Sequence, residues 1–411
     1  MESIEKLYQR ILGLESPWEV EKVSLESGSG EIIINLNYNS HVGICPECGK
    51  ECRIYDKRNI RKWRHLDTCQ FKTYLVASIP RIICPDHKIK SISVPWSRSN
   101  SHFSMLFESY AIELLQATFN QTKTAELLRI SFSQINTIMK SAVNRGLARR
   151  EKEELQYLGI DEKSIKSGHH YLSIAYDLVR GKVLEVIEGR NKKSSKKLLR
   201  SVKSKNNCNN LQAVSMDMWK SYMNASREVF PSVDIVHDKF HIIKYLNNGV
   251  DKTRKIENTK LYKQKDKSLK RTKYLFLKNP KNMTEKQSLR FEELKKMNLK
   301  TSKAWQIKEN FKGFYNVERI NSGKFFFNAW YNDVINSGLK HMVKVAGILE
   351  RHFSGIITYI KHKITNSLAE NINGRIQKIK TIAKGFRDFK NYRIAILFYL
   401  GKLNMDPHKI L

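Results

Sequence analysis

The chain has 411 residues and a formal net charge of +34, from 74 Lys and Arg against 40 Asp and Glu. This length predicts two to four domains, and the basic excess indicates a polyanionic partner. No apolar run reaches the ~20 residues that a membrane-spanning helix needs, and MESIEKLYQR lacks the pattern of a secretory signal. We therefore expect a cytoplasmic protein without a membrane partner.

The first 97 residues are expected to form a zinc-ribbon-like β module. A short amphipathic helix is predicted over 2–13, and two alternating runs around ESGSG predict a β-hairpin. Two chelating pairs follow, CPEC and CPDH. Their ligands would be Cys45, Cys48, Cys84 and His87.

Two intervening residues let both side chains of a pair converge on one ion, and two such pairs make the tetrahedral thiolate and imidazole site that Zn²⁺ prefers. All four positions would be filled, so the site is expected to be structural. The alternative is buried free thiols with a surface histidine. Cys52 and Cys69 are further ligand candidates.

Residues 98–152 are predicted to be a helix-turn-helix domain. In TKTAELLRISFSQINTIMKSAV, Ala125 and Leu128 would face inward on the first helix, and Ser131 would cap the second. Helical spacing predicts a buried face of Ile135, Ile138, Met139 and Ala142. The outward face would contact DNA through Ser133, Gln134, Thr137 and Lys140. The alternative is an ordinary helical hairpin.

Residues 153–245 carry three predicted strands, a helix, a strand, a helix and a strand. Asp161 is predicted to end the first strand and Asp217 the fourth. On neighbouring strands their carboxylates would lie side by side and require a cation, for which Mg²⁺ (or Mn²⁺) is suited. The alternative for each is a turn or helix-capping residue. The element order itself is the ribonuclease-H-like arrangement.

Residues 246–340 are predicted to be a basic α-helical insertion, and residues 341–411 to complete the catalytic domain with a C-terminal helix. Glu370 is the only acidic residue between Glu350 and Asp388, an interval with eight Lys and Arg. Its helix is predicted to bury a stripe of Leu368, Ile372, Ile376 and Ile379. Glu370 would lie on the opposite face, where DNA passes.

The whole chain resembles the DDE transposases of bacterial insertion sequences, in the ISL-three family. CPECG, WRHLD and CPDH are similar to its zinc module, and GIDE, SMDMWKSY and ITNSLAENINGRIQKIK to its three acid motifs. The resemblance implies a multidomain α+β protein whose catalytic acids are Asp161, Asp217 and Glu370. HDKFH resembles a further motif of related transposases, which makes His241 a candidate catalytic residue, or a packing and capping residue beside the site.

The expected function is therefore an insertion-sequence transposase. It would bind terminal inverted repeats and target DNA, cut and join DNA by in-line phosphodiester attack, and assemble on DNA as a homodimer or larger, associated with the bacterial nucleoid. Two alternatives remain: a zinc and helix-turn-helix DNA-binding regulator with an inactive nuclease fold, and a structure-selective nuclease that cuts but never joins.

Overall fold

The computed structural model describes residues 2–166, 170–364 and 367–408, and the chain divides into two compact units. The first unit consists of Met1–Arg150 with Leu403–Leu411, and the second of Glu151–Lys402. Within the described ranges, no helix combines the length and apolarity needed to cross a membrane.

The first unit begins with helix α1 and a six-stranded sheet. These elements are α1 (Ile4–Ile11), β1 (Trp18–Glu26), β2 (Glu31–Tyr38), β3 (Val42–Ile44), β4 (Glu51–Arg64), β5 (Lys72–Cys84) and β6 (Lys88–Ser91). The strand order is β1-β2-β5-β4-β3, and β6 pairs with β5. The predicted hairpin is confirmed as β1 and β2, which pair antiparallel with Glu26 opposite Glu31.

Alternation decides which face of this sheet is buried. Along β2 every second residue points into the core, from Ile32 to Tyr38. The core centres on three tryptophans: Trp96 makes edge-to-face contacts with Trp18 and Trp63, at ring-centroid distances of 4.7 and 5.5 Å.

Three helices follow the sheet in the first unit: α2 (Met105–Thr118), α3 (Gln121–Leu127) and α4 (Phe132–Ala148). Ser131 caps α4, and the Gln134 side chain accepts a hydrogen bond from the Ser131 backbone in return, which confirms the predicted capping box. The predicted inward residues are buried: Ala125, Leu128, Ile135, Ile138, Met139 and Ala142.

The C-terminal segment from Leu403 packs on α4 rather than with the second unit. Arg145 donates through Nε to the Met405 carbonyl at 3.1 Å, and Arg149 donates to the Asp406 carbonyl at 2.6 Å. The same Arg145 forms a buried ion pair with Glu108 at 3.1 Å. The sequence had suggested that residues 341–411 stay together in the catalytic domain.

The second unit contains a five-stranded sheet of β7 (Tyr157–Lys166), β8 (His170–Asp177), β9 (Lys182–Glu188), β10 (Ala213–Met216) and β11 (Asp234–His237). Its order is β11-β10-β7-β8-β9. β10 runs parallel to both β7 and β11, whereas β8 is antiparallel to β7 and β9. Helix α5 (Lys192–Lys205) precedes β10, and α6 (Lys220–Val229) precedes β11, as predicted.

The prediction that Asp161 ends its strand is wrong. β10 stops at Met216, but the hairpin of β7 with β8 continues, pairing Asp161 with Ile174 and running on to Lys166. Asp161 therefore lies inside β7, at the level where its parallel neighbour ends.

The rest of the second unit is helical. Its helices are α7 (Lys239–Lys263), α8 (Lys273–Leu277), α9 (Glu285–Lys296), α10 (Lys300–Phe311), α11 (Ile320–Asn336), α12 (Lys340–Arg351), α13 (Phe353–His362), α14 (Ser367–Ile382) and α15 (Phe389–Leu400). Thr284 and Gln287 form the predicted capping box of α9.

Helix α14 buries Ala369, Ile372, Ile376 and Ile379. The inclusion of Leu368 in its buried stripe is wrong, because that side chain is 40% exposed. Ala369 lies seven residues before Ile376, two helical turns away on the same face, and it occupies the place predicted for Leu368.

Candidate metal and nucleic-acid sites

Two β-turns of the first unit bring four metal-ligand side chains together. Cys45 and Cys48 lie in the turn between β3 and β4, Cys84 is the last residue of β5, and His87 lies in the turn between β5 and β6. Their ligand atoms all lie within 4.8 Å of one another. These are the four residues that the spacing of the two pairs predicted.

The distances within this cluster fit a tetrahedral ion. Cys48 Sγ and Cys84 Sγ are 3.7 Å apart, and His87 Nδ1 is 3.7 Å from Cys84 Sγ and 3.9 Å from Cys45 Sγ. Zn–S bonds of about 2.3 Å at the tetrahedral angle place two sulfurs about 3.8 Å apart. The donor set and its spacing therefore fit Zn²⁺.

Local electrostatics favour the thiolate form at Cys84. Burial acts to raise the pKa of this thiol, but backbone N–H groups of His87 and Asp86 and the neighbouring thiols outweigh it and lower the pKa to about 7. Cys52 is buried beside the cluster, donates to the Lys50 carbonyl and is not one of its four members; Cys69 is exposed.

Asp161 and Asp217 lie side by side at the edge where β10 ends. Ser215 pairs with Gly159, so Asp217 and Asp161 each follow a paired residue by two positions. Asp161 accepts a hydrogen bond from the Glu162 N–H at 2.7 Å, and Asp217 accepts one from the Trp219 N–H at 3.1 Å.

Both carboxyls are partly buried, and their pKa values respond to that burial. Burial raises the pKa of Asp217 to about 6, with the charges of Glu162 and Asp161 adding to the rise and His241 opposing it. Burial likewise raises the pKa of Asp161. Two half-buried carboxyls this close favour a bound cation, which is the condition for a divalent metal site.

His241 lies on the first turn of α7, facing these two acids. Its Nδ1 is 3.0 Å from Asp238 Oδ2, and Asp238 also caps the helix through the Phe240 N–H. The hydrogen bond to Asp238 raises the pKa of His241, and the charges of Asp161 and Asp217 add to the rise. His241 is therefore both a residue of the helix start and a neighbour of the acids.

Glu370 is exposed on the first turn of α14. Among the described residues, the Cys/His cluster alone gathers three or more potential metal ligands within 4.8 Å, so the three acids do not meet that closely. The contact between α14 and Asp161 is made by another residue, Asn373, whose Nδ2 donates to Asp161 Oδ2 at 2.5 Å.

The outward face of α4 forms one wall of a groove of about 1160 Å³ within the first unit. Thr137, Ser141 and Asn144 line it from α4, and Arg58 and Arg61 line it from β4. Ser133 and Gln134 are exposed at the start of the helix, whereas Lys140 is half-buried.

Sequence reasoning missed Ser141, Asn144 and the two arginines of this groove. The helical period from Thr137 could have indicated Ser141 and Asn144, at i+4 and i+7. No sequence signal could have placed β4 opposite α4.

Three family models match the chain. A model described as "Transposase", of the DDE type in the ISL3 family, matches residues 158–396. The chain belongs to the ISL3 family of transposases. The zinc-finger model of the IS204, IS1001, IS1096 and IS1165 transposases matches residues 41–87, and the helix-turn-helix model of family ISL3 matches residues 92–143.

Two curated relatives match the transposase almost end to end. The transposase of insertion sequence IS1001 from Bordetella parapertussis is 23% identical over 382 residues, covering 92% of this chain and 94% of the relative. The transposase of IS1557 from Mycobacterium tuberculosis is 25% identical over 416 residues, covering 93% and 92%. The protein is thus an insertion-sequence transposase with a DNA-binding helix-turn-helix domain, a Cys/His cluster that suits zinc, and a catalytic domain of a divalent-metal family.

Proposed function

We propose that this transposase cuts DNA at the ends of its element and joins those ends to target DNA, using Asp161, Asp217 and Glu370 to hold Mg²⁺ or Mn²⁺. The observation that carries the proposal is the pair of half-buried aspartates beside the end of β10, with raised pKa values. When bound, such ions stabilise the attacking and leaving oxygens of an in-line phosphodiester displacement.

The roles of the protein side chains follow from their surroundings. Asp161 and Asp217 are held by backbone N–H donors, so each carboxylate keeps lone pairs for a cation. His241, held by Asp238, would place a positive charge beside the scissile phosphate. Glu370 would complete the ligand set from α14.

The strand order supports a ribonuclease-H-like catalytic domain. A central strand with one parallel neighbour on one side and an antiparallel hairpin on the other carries the first acid, and the parallel neighbour ends at the second. Residues 246–340 carry most of α7 and the helices α8 to α11, which supports reading this range as a helical insertion before the third acid.

For end recognition we propose that the terminal inverted repeat binds in the groove between α4 and β4. Thr137, Ser141 and Asn144 would face base edges, and Arg58 and Arg61 would contact phosphates. Pairing two ends requires two copies of this groove, so the active form would be a homodimer or a larger assembly on DNA.

The test is a cleavage and strand-transfer assay with DNA that flanks the gene, using Asp161→Asn, Asp217→Asn and Glu370→Gln. Each variant should bind the flanking DNA normally but lose several orders of magnitude in both reactions, since each removes a charged metal ligand. A Glu370→Gln protein that cleaves near the wild-type rate would remove Glu370 from the site. Cleavage without joining of pre-cut ends would favour the nuclease alternative.

A further inference from the structure

Helix α14 is tied to the first aspartate by a chain of two hydrogen bonds. Asn373 donates through Nδ2 to Asp161 Oδ2 at 2.5 Å, and its Oδ1 accepts from the Tyr176 hydroxyl at 2.7 Å. Tyr176 lies on β8, opposite Gly159 of β7, so it shares a sheet face with Asp161. The chain therefore joins β8, α14 and β7 on one side of the sheet.

The chemistry of the two outer groups determines how the Asn373 amide is oriented. Tyr176 is fully buried, and burial raises the pKa of its hydroxyl well above the usual value, with the charge of Asp161 adding to the rise. The hydroxyl therefore keeps its proton and can donate, whereas an ionised carboxylate can only accept. One amide orientation satisfies both partners: oxygen toward Tyr176 and nitrogen toward Asp161.

The same contact determines the position of the third acid. Glu370 and Asn373 are three residues apart, which places them about 60° apart around the helix and about 4.5 Å along it. Ile372 and Ile376 hold the neighbouring face of α14 in the core, at 4% and 0% exposure, and Ile376 lies only about 60° around the helix from Asn373. A helix that is held by this buried face and, next to it, by the hydrogen bond from Asn373 to Asp161 has little freedom to rotate or slide.

We propose that Asn373, oriented by Tyr176, is a positioning residue that ties α14 to Asp161 and sets where Glu370 stands toward the two aspartates. The inference rests on the proposed metal-dependent reaction. Asp161 Oδ1 accepts one backbone N–H and Oδ2 accepts the amide of Asn373. Each oxygen keeps a second lone pair, so the tie does not block a cation.

If Asn373 and Tyr176 only stabilised the fold, a different result would be expected, and Tyr392 provides a matched control. Tyr392 is also a buried tyrosine, and its hydroxyl donates to the Ile376 carbonyl of the same helix at 3.4 Å. Tyr392→Phe therefore removes one buried hydroxyl bonded to α14 without touching the Asn373 amide or Asp161. If these hydrogen bonds matter only for the folding stability, Tyr176→Phe and Tyr392→Phe should have the same effect on metal affinity.

The experiment is a Mn²⁺ titration of the full-length, zinc-containing protein without DNA, followed by the electron paramagnetic resonance signal of free Mn²⁺. The Mn²⁺ binding that is lost in Asp161→Asn is the binding at the proposed acid site. Asn373→Ala should weaken that binding about 10- to 100-fold, the usual range for outer partners of metal ligands. Tyr176→Phe should weaken it about 10-fold, and the double variant should be no weaker than Asn373→Ala, because Tyr176 acts through Asn373. Tyr392→Phe should bind as the wild type does.

Wild-type affinity in a folded Asn373→Ala protein would overturn the inference and leave the proposed function intact. If Asn373→Ala does not fold, Tyr176→Phe decides: affinity equal to that of Tyr392→Phe overturns the inference. If the wild type shows no Mn²⁺ binding that Asp161→Asn removes, the proposed metal-dependent function fails, and the inference fails with it.

Discussion

Asp161, Asp217 and His241 show how single residues acquire function from their neighbours. The two aspartates have raised pKa values because burial penalises their charge, and His241 has a raised pKa because Asp238 holds it and the same two acids face it. In turn, the charge of His241 opposes the rise in the pKa of both aspartates. The sequence could predict the acids from the strand order, but Asn373 and Tyr176 carried no comparable signal.

At the same scale, His65 should make the first unit sensitive to acid. It is buried, its Nδ1 is 2.8 Å from Ser104 Oγ, and burial lowers its pKa from 6.5 to about 4. Between these values the unfolded chain binds a proton that the folded chain does not. Folding stability should therefore fall as the pH decreases from about 6.5 to about 4, by up to about 3 kcal/mol from this group.

Urea unfolding followed by tryptophan fluorescence would measure this effect across that pH range, with Trp219, Trp305 and Trp330 of the second unit replaced by Phe so that only the first unit is observed. His65→Gln removes the titrating group, so its stability should depend less steeply on pH than that of the wild type. Equal slopes for the two proteins would contradict the prediction. Both proteins contain the zinc ligands, so acid releases zinc from both. The contribution of zinc release to the pH dependence therefore cancels when the two proteins are compared.

The structural elements carry function through the faces they present. Helix α14 buries a face that begins at Ala369 rather than Leu368, so Glu370 is exposed away from that face and Asn373 is half-buried beside it. Helix α4 buries four residues at helical spacing and leaves Thr137, Ser141 and Asn144 on the groove. In both helices the buried stripe, which sequence can largely predict, determines which residues remain for the ligand.

The two metal-binding turns should hold one Zn²⁺ per chain. Cys45→Ser or Cys84→Ser leaves three ligands, so zinc should be lost and the β3–β4 and β5–β6 turns should loosen, while the second unit stays folded. Elemental analysis and proteolysis would measure both effects. Cys69→Ser, which changes an exposed cysteine outside the cluster, should keep its zinc. A wild-type protein purified without zinc would contradict the prediction.

Helix α4 and strand β4 should contribute differently to DNA binding. Ser141→Ala or Asn144→Ala should reduce the preference for the element's end over random DNA by about 1–3 kcal/mol. Arg58→Ala should weaken binding to both DNAs. It should also reduce the slope of the logarithm of the binding constant against the logarithm of the salt concentration by about one. Gel-shift competition at several salt concentrations measures both quantities.

Lys22→Ala is the matched control for Arg58→Ala. It removes one positive charge from β1, the edge strand three positions from β4 in the sheet, and should leave the affinity nearly unchanged. If Lys22→Ala and Arg58→Ala weaken binding equally, net charge rather than the groove controls the affinity. If neither Ser141 nor Asn144 affects the preference, base reading does not take place in this groove.

At the scale of the whole molecule, the first unit is built from both ends of the chain. The C-terminal segment supplies the carbonyls of Met405 and Asp406 to Arg145 and Arg149, and the Met405 side chain is 5% exposed. A fragment ending at Arg150 therefore lacks part of its own fold, although its motifs alone suggest an independent DNA-binding domain.

Truncation after Lys402 should destabilise the first unit by about 2–4 kcal/mol, because it exposes the surface under Met405 and leaves Arg145 without its carbonyl acceptor. Thermal unfolding followed by tryptophan fluorescence would show a lower transition temperature. Met405→Ala should reproduce part of the loss, and Asn404→Ala, at an exposed position, should have no effect. An unchanged transition after truncation would contradict the prediction.

The sequence by itself determined the features that depend on near neighbours along the chain. The two metal-binding pairs, the capping boxes at Ser131 and Thr284 and the order of strands and helices in the second unit all follow from spacing and periodicity within a few residues. The tertiary structure alone decided that β7 continues past Asp161, that the tail from Leu403 joins the first unit and that Asn373 meets Asp161. The last two contacts join residues 260 and 212 positions apart, and no local pattern encodes a pairing over such separations. They form because a buried polar group without a partner is costly once the cores have packed.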